Sequence, residues 1–232
     1  MPRKPRSAAS ALSRDRILAE AQALTAADGL AALSTRRLAE RLGVEAMSIY
    51  HHFPSKHHLL DAMVDAAIAS LEPPPPALPP LQRLRWAAHA YRAMAMRHAA
   101  LFPLVAVHRL NTPTGVRFIE STLALVQAVV PDRERAARHF RVLGYYLVGA
   151  GIDETAGYAR GPSAAEPVDD AYIARECPRL AASARWFQRA EWDATFELGL
   201  EAVLAAIERD SRPQEPAQQR TAPAPRQPRP QA

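Results

Sequence analysis

The sequence predicts an all-α fold, arranged as a small N-terminal helical unit and a larger helical body. Three observations predict it. The chain is rich in Ala, Leu, Arg and Glu, which lose little side-chain entropy on entering a helix. Only nine of its 232 residues are Gly, too few for a turn-dense all-β architecture. Apolar residues recur every three or four positions along most of the chain, the period of one helix face. No run of 18 apolar residues occurs, so no membrane span is expected, and the basic first 16 residues lack an apolar signal stretch. The single Cys177 excludes an intramolecular disulfide and a multi-thiolate metal site. These features describe a soluble, cytoplasmic helical protein.

Proline divides the chain. Of 21 Pro, six fall within 73–80 and six within the last 22 residues. The first cluster cannot continue a helix and reads as a stiff extended spacer. The expected organisation is a basic flexible arm over 1–12, a helical unit over 13–72, the linker 73–80, a body over 81–210 and a Pro-rich tail over 211–232. That tail has almost no bulky apolar residues, so it is expected to stay disordered. The formal net charge of +5 is unevenly placed. Residues 1–56 carry nine basic against five acidic side chains, whereas 73–210 carry sixteen against fifteen. Such asymmetry suits an N-terminal module for a polyanion, although a surplus this small also serves ordinary solubility.

Ser13 caps a first helix whose apolar face runs Ile17, Leu18, Ala21 and Leu24, and Asp28-Gly29 ends it in a left-handed turn. Ser34 or Thr35 caps a short second helix, with Leu38, Ala39 and Leu42 inward and Arg36, Arg37, Glu40 and Arg41 outward. Gly43 stops that helix, and a third short helix over 45–50 follows at once. Pro54-Ser55 breaks the chain before a strongly apolar helix over 56–71. Two short helices joined by a Gly-containing turn describe a helix-turn-helix over about 34–53. A groove-entering helix presents small or polar residues outward near its N-terminus; Glu45, Ala46, Met47, Ser48 and Tyr50 satisfy this, with Ile49 inward. A corner that only packs against protein shares the same spacing.

The stretch LSTRRLAERLGVEAMSIYHHFPSKHHLLDAMV, residues 33–64, closely resembles the DNA-binding domain of the tetracycline-repressor (TetR) family. Its diagnostic parts are LAERLGV, then SIYHHF, then Ser55-Lys56 opening the next helix with Leu59-Leu60 inside it. The resemblance covers about 13–71. It implies that Thr35 and Arg36 sit at DNA, with Arg36 a candidate for base contact. It also implies that Ala46, Met47, Ser48 and Tyr50 face the major groove. Tyr50, His52 and Lys56 would hold phosphates, and Phe53 would be structural.

In the body, amphipathic helices are expected over 81–100, over 107–130 through Pro113, from Asp132 through Ile152, and over 191–207. The family's last two long helices form a four-helix bundle with a partner subunit. Gly144, Gly149, Gly151 and Gly199 would permit that approach, or serve packing within the chain. HRLNTPTGVRFIESTLALV and LVGAGIDETAG faintly resemble the tetracycline-repressor branch itself. Members that bind a magnesium–tetracycline chelate use a His and an acidic residue; the nearest matches are His108 and Glu154 (or Asp153). The loop is one residue longer here, and Arg109 opposes a cation, so no metal is assigned. A pocket for a planar or hydrophobic effector would be lined by Trp86, His89, Phe102, His108, Phe118, Phe140 and Tyr145, residues that equally suit a core.

His51, His52, His57 and His58 cluster around Lys56, but a zinc site would require three or four converging ligands. No G-x-S-x-G, P-loop or H-E-x-x-H is present, and Gly149-Ala-Gly151 lies in helical context, so neither an enzyme nor a cofactor is expected. The expected protein is a homodimeric, ligand-responsive regulator on a palindromic double-stranded DNA operator, released by a small-molecule effector. The alternative is a metal-sensing or protein-binding helical module.

Overall fold

The computed structural model describes residues 12–156 and 164–211, and no strand occurs among them. Eleven α-helices are described: α1 (Arg14–Asp28), α2 (Thr35–Leu42), α3 (Ala46–Tyr50), α4 (Lys56–Ala69), α5 (Pro80–Arg97), α6 (Phe102–Val107), α7 (Pro113–Gln127), α8 (Arg133–Ala156), α9 (Asp170–Glu176), α10 (Pro178–Ser183) and α11 (Trp192–Arg209). The expected arm over 1–12 and tail over 211–232 lie almost wholly outside the described residues. No described helix is long and apolar enough to cross a membrane.

Local chemistry sets the helix starts. Ser13, Ser34 and Ser55 each accept a hydrogen bond from a first-turn backbone N–H through the side-chain oxygen, as does Thr112 ahead of α7. Each cap satisfies a donor that the first helical turn leaves without a partner. Gly43 ends α2 at φ 68°, ψ 35°, left-handed backbone that glycine adopts without a Cβ penalty. Gly29 also has positive φ, but its ψ of 164° is extended. The expected left-handed cap after Asp28 is therefore corrected to a Gly-favoured extended exit.

Two apolar cores form. The first joins α1–α4 through Ile17, Leu24, Leu38, Ile49, Phe53 and Met63, and continues into Met94, Phe102 and Val105 of α5 and α6. The second joins α5, α7, α8 and α11 through Leu84, Val126, Leu143, Phe196 and Leu204. The Pro-rich segment thus separates elements in sequence while one core runs across it. Part of that segment is turned rather than extended, with Leu78 N–H donating to the Pro75 carbonyl.

Two boundaries are corrected. The helix expected over 107–130 starts at Pro113, because Thr112 caps there; Val107 instead closes the separate short helix α6. The segment 164–191 holds α9, α10 and two 3-10 turns that the periodicity did not indicate, and none of these four elements has a buried residue.

The glycines divide. A Cβ on Gly151 would come within 2.5 Å of the Phe102 ring, and one on Gly199 would strike the Tyr146 ring, so both serve packing within the chain. Gly144 and Gly149 have nothing within 4 Å of that position and leave α8 open on one side.

Candidate DNA-binding face and effector cavities

The corner of α2 and α3 is anchored from beneath. Leu38, Ala39 and Leu42 of α2 and Ile49 of α3 are buried, and Phe53 is sealed at 1% exposure. Arg14 of α1 donates to the His52 carbonyl at 2.8 Å and stacks over the Phe53 ring at 4.1 Å. This ties the start of α1 to the end of α3. Arg37 pairs with Asp28 at 2.8 Å and Arg41 with Glu20, holding α2 on α1.

These contacts sort the arginines of α2. Arg37 and Arg41 are occupied by α1, whereas Arg36 projects with its side chain 88% exposed, paired only within its own helix to Glu40. On α3, Met47 is 64% and Tyr50 41% exposed while Ile49 is 2% exposed. Ser48, Thr35 and His52 are half-buried. Ala46, expected outward, is also half-buried and packs partly against the first core, so it offers little surface to a groove. Lys56, expected to hold phosphate, donates through Nζ to the Leu33 carbonyl at 2.7 Å, which directs one of its three donors to protein. Sequence reading missed the roles of Arg14, Arg37 and Arg41, whose partners lie 38, 9 and 21 positions away. Of the four clustered histidines, His58 bonds to Ser55 at 2.8 Å. Among the described residues no three His, Cys, Asp or Glu side chains converge as metal ligands.

The seven expected effector-lining residues do not share one pocket. Trp86 and His89 line cavities of about 280 Å³, between α5 and residues 70–72, and about 500 Å³, between α5 and Leu78. His89 also lines a third, of about 470 Å³, with Arg92, Met96, Arg189 and Trp192. Phe102 is fully buried and packs edge-on against Tyr91, which stacks on Phe118. Burial of Tyr91 pushes its phenol up to about 12. Phe140 packs against the second core. Tyr145 is 64% exposed and lines a separate cavity of about 380 Å³ with Tyr146, Gly149 and Trp192. Helical spacing put these side chains near one another along the chain, but tertiary packing sends them to different faces.

The two residues weighed for a metal are occupied. His108 Nε2 lies 3.2 Å from Asp61 of α4. Glu154 is 5% exposed, and both its oxygens accept from Arg92, at 2.8 and 2.9 Å. A guanidinium occupies the place where a cation would have to sit. Arg92 also reaches Asp193 at 2.9 Å and lies over the Phe196 ring at 4.5 Å. Around it α5 and α11 form a charged ladder. Arg85 pairs with Glu201 at 2.6 Å, and His89 lies 3.2 Å from Glu197. The hydrogen bond to Arg85 holds the Glu201 carboxyl below its usual range.

Comparison with known proteins agrees with this geometry. Residues 17–63 match the family described as bacterial regulatory proteins, tetR family, and residues 76–210 match the tetracyclin repressor-like C-terminal domain. The chain is 30% identical over 190 residues to the tetracycline repressor protein class A from transposon 1721 of Escherichia coli, covering 77% of this chain and 82% of that one. Among solved structures it resembles a possible TetR family transcriptional regulator from Streptomyces coelicolor A3(2). There the TM-score is 0.71 and the identity 26%, over 85% of this chain and 99% of that one. It also resembles Streptomyces coelicolor ActR in complex with actinorhodin, with TM-score 0.69 and 25% identity over 87% and 99% of the two chains.

Proposed function

The chain belongs to the tetR family of bacterial regulatory proteins, DNA-binding transcriptional regulators rather than enzymes, and from that premise we propose that it is a cytoplasmic repressor of a palindromic operator, released by a small-molecule effector. One observation carries the reading: α3 turns Met47 and Tyr50 to solvent while Ile49 is buried beneath them. A recognition helix must expose such side chains to reach base edges, while its inner face holds it on the scaffold. Arg36 is the projecting cation, suited to a base edge or phosphate at the groove's mouth. Met47 offers apolar contact to a thymine methyl. Thr35, Ser48, Tyr50 and His52 supply hydrogen bonds around it, with Lys56 at the adjoining helix start.

Two copies would place two α3 helices in successive major grooves about 34 Å apart, hence the palindrome. The pairing face is α8 with α11, where Val142, Tyr145 and Leu198 are exposed and Gly149 leaves room for a close helix. The segment 164–191 supports the same reading. It exposes Val168, Tyr172, Leu180, Trp186 and Phe187, apolar surface that a second subunit would cover. The effector is assigned to the α5 cavities that share Trp86 and His89. It releases DNA only if it binds better to a conformation whose α3 helices no longer match the grooves. The structural neighbour ActR was solved in complex with actinorhodin, which supports an effector site in this fold.

The test is a gel-shift titration on a palindrome near the chain's own promoter. Arg36→Ala and Tyr50→Ala should each weaken binding at least tenfold with an unchanged helical circular-dichroism spectrum. Wild-type affinity in both variants would remove the site assignment.

A further inference from the structure

The described chain begins at Leu12, which is half-buried against the first core, and Ser13 caps α1 directly after it. Arg14 then donates to the His52 carbonyl at 2.8 Å and lies over the Phe53 ring at 4.1 Å. His52 stands two residues beyond the end of α3. The start of α1 is thereby held within one side chain's length of the end of the helix assigned to the major groove. Whatever precedes Leu12 leaves from that corner.

The corner suits a polyanion. Residues 46–60 include no Asp or Glu, and His51, Lys56, His57 and His58 are exposed there. Asp15 is the one acid in the first turn of α1. The sequence ahead of Leu12, MPRKPRSAASA, holds Arg3, Lys4 and Arg6 and no acid. Its three cations fall in the first six positions, and residues 7–11 are all Ser or Ala. Pro2 and Pro5 bias the residues before them toward extended backbone. Such a sequence has nothing bulky to bury in a core, but its charge and narrow profile match a groove lined by phosphates.

Length decides which groove. At about 3.3 Å per extended residue, Arg6 reaches about 20 Å from Leu12 and Arg3 about 30 Å. Successive major grooves lie about 34 Å apart, so the centre of the minor groove between them lies about 17 Å from a helix in either one. That minor groove is only about 6 Å wide, too narrow for a helix but open to an extended strand of small and basic residues. Runs of A·T narrow it further and deepen its negative potential, which draws in Arg and Lys.

We infer that the segment 1–11 lies in the minor groove flanking each half-site, with Arg3, Lys4 and Arg6 directed at A·T pairs. Arg14 is the positioning residue that aims the segment across the intervening phosphate strand. The segment is a second reader of the operator, separate from Arg36, Met47 and Tyr50, and it extends the preferred site to A·T pairs outside the part that α3 touches. This inference rests on the DNA-binding reading.

The experiment measures fluorescence anisotropy of the operator with three full-length proteins: wild type, Arg36→Ala, and the triple variant Arg3→Gln with Lys4→Gln and Arg6→Gln. The triple variant changes no residue of the described helices and should keep the wild-type circular-dichroism spectrum. At about 0.1 M salt it should lose at least tenfold in affinity, and its log–log salt dependence should flatten by about 2.7 per protomer, from three phosphate charges at about 0.9 each. Three operators differing only in their flanks, A·T, inosine·C or G·C, test the groove. Inosine·C keeps the major-groove face of G·C but lacks the guanine amino group in the minor groove. Wild type should bind the first two flanks within twofold and G·C flanks at least threefold more weakly, while the triple variant binds all three alike. Wild-type affinity and salt slope in the triple variant, with Arg36→Ala weakened, would overturn the arm and leave the α3 reading standing. Equal wild-type affinity for all three flanks would overturn the minor-groove assignment. Failure of wild type to bind any operator would remove the DNA-binding reading and the arm with it.

Discussion

Removing the Glu154 carboxylate should destabilise the body by about 2–4 kcal/mol. The Glu154 side chain is 6% exposed, and its two oxygens accept from Arg92 Nε and Nη2. The Arg92 side chain is 16% exposed and lies over the Phe196 ring, so it cannot simply turn out to water. Deleting one partner of a buried ion pair costs about 3–5 kcal/mol, because the other charge stays desolvated and unpaired. Arg92 Nη1 keeps Asp193, but that side chain is 90% exposed, and a pair so solvated returns only about 0.2–1 kcal/mol. The difference predicts a Glu154→Ala loss near the stated range. In a protein of this size each kcal/mol moves Tm by about 2–4 °C, so the midpoint should fall by about 4–16 °C. The assay is thermal unfolding followed by helical circular dichroism at fixed protomer concentration, since dimerisation makes Tm concentration-dependent. Arg92→Met with Glu154→Leu should recover most of the loss, because an apolar pair carries no charge desolvation. A single-variant loss below about 1 kcal/mol, or a double variant as unstable as the two single losses added together, would refute the reasoning.

Gly151→Ala places a methyl group against the fully buried Phe102 ring. It should cost about 1–3 kcal/mol by overpacking, and Phe102→Leu in the same chain should relieve it; both are read from urea midpoints. The hydrogen bond from His139, assisted by Arg135, holds the Asp210 carboxyl below its usual range. Its stabilising contribution is therefore complete above the ordinary carboxylate value of about 3.9. That contribution fades as pH falls through the depressed value. Unfolding midpoints of wild type and Asp210→Asn should accordingly differ at pH 6 and converge toward pH 2. Trp186→Ser with Phe187→Ser should raise the dimer dissociation constant at least tenfold in sedimentation equilibrium, while Trp86→Ser leaves it unchanged. Equal dissociation constants in all three proteins would detach the segment 164–191 from the subunit interface.

The helices of the DNA-binding unit were legible because their signals are local. Ser13, Ser34 and Ser55 cap where the sequence places them. Gly43 takes the left-handed turn that no Cβ-bearing residue adopts as easily, and the exposure of Met47 and Tyr50 on α3 follows from a buried Ile49. The extra helices over 170–183 were hidden for the opposite reason. With no residue buried in their own chain, they show no apolar stripe to read. The residues expected to line an effector pocket lie on several faces for a related reason, since helical period orders residues around one helix but does not say which neighbour each face meets.

Sequence by itself therefore determined the all-α class, the four short and long helices of the N-terminal part and the exposure of Met47 and Tyr50 above Ile49. Those follow from dihedral preference, capping and periodicity, which act over a few residues. Tertiary structure alone decided that two of the three arginines in α2 are spent on α1. It alone set Glu154 against Arg92 and not against an open site, and drew the first core across the Pro-rich segment into α6. The two arginine pairs lie at partly exposed surface and depend on which helices meet; the Arg92–Glu154 pair and the shared core depend on which distant side chains share a low-dielectric interior. Pairing there is enforced by desolvation, a cost that no stretch of neighbouring residues records.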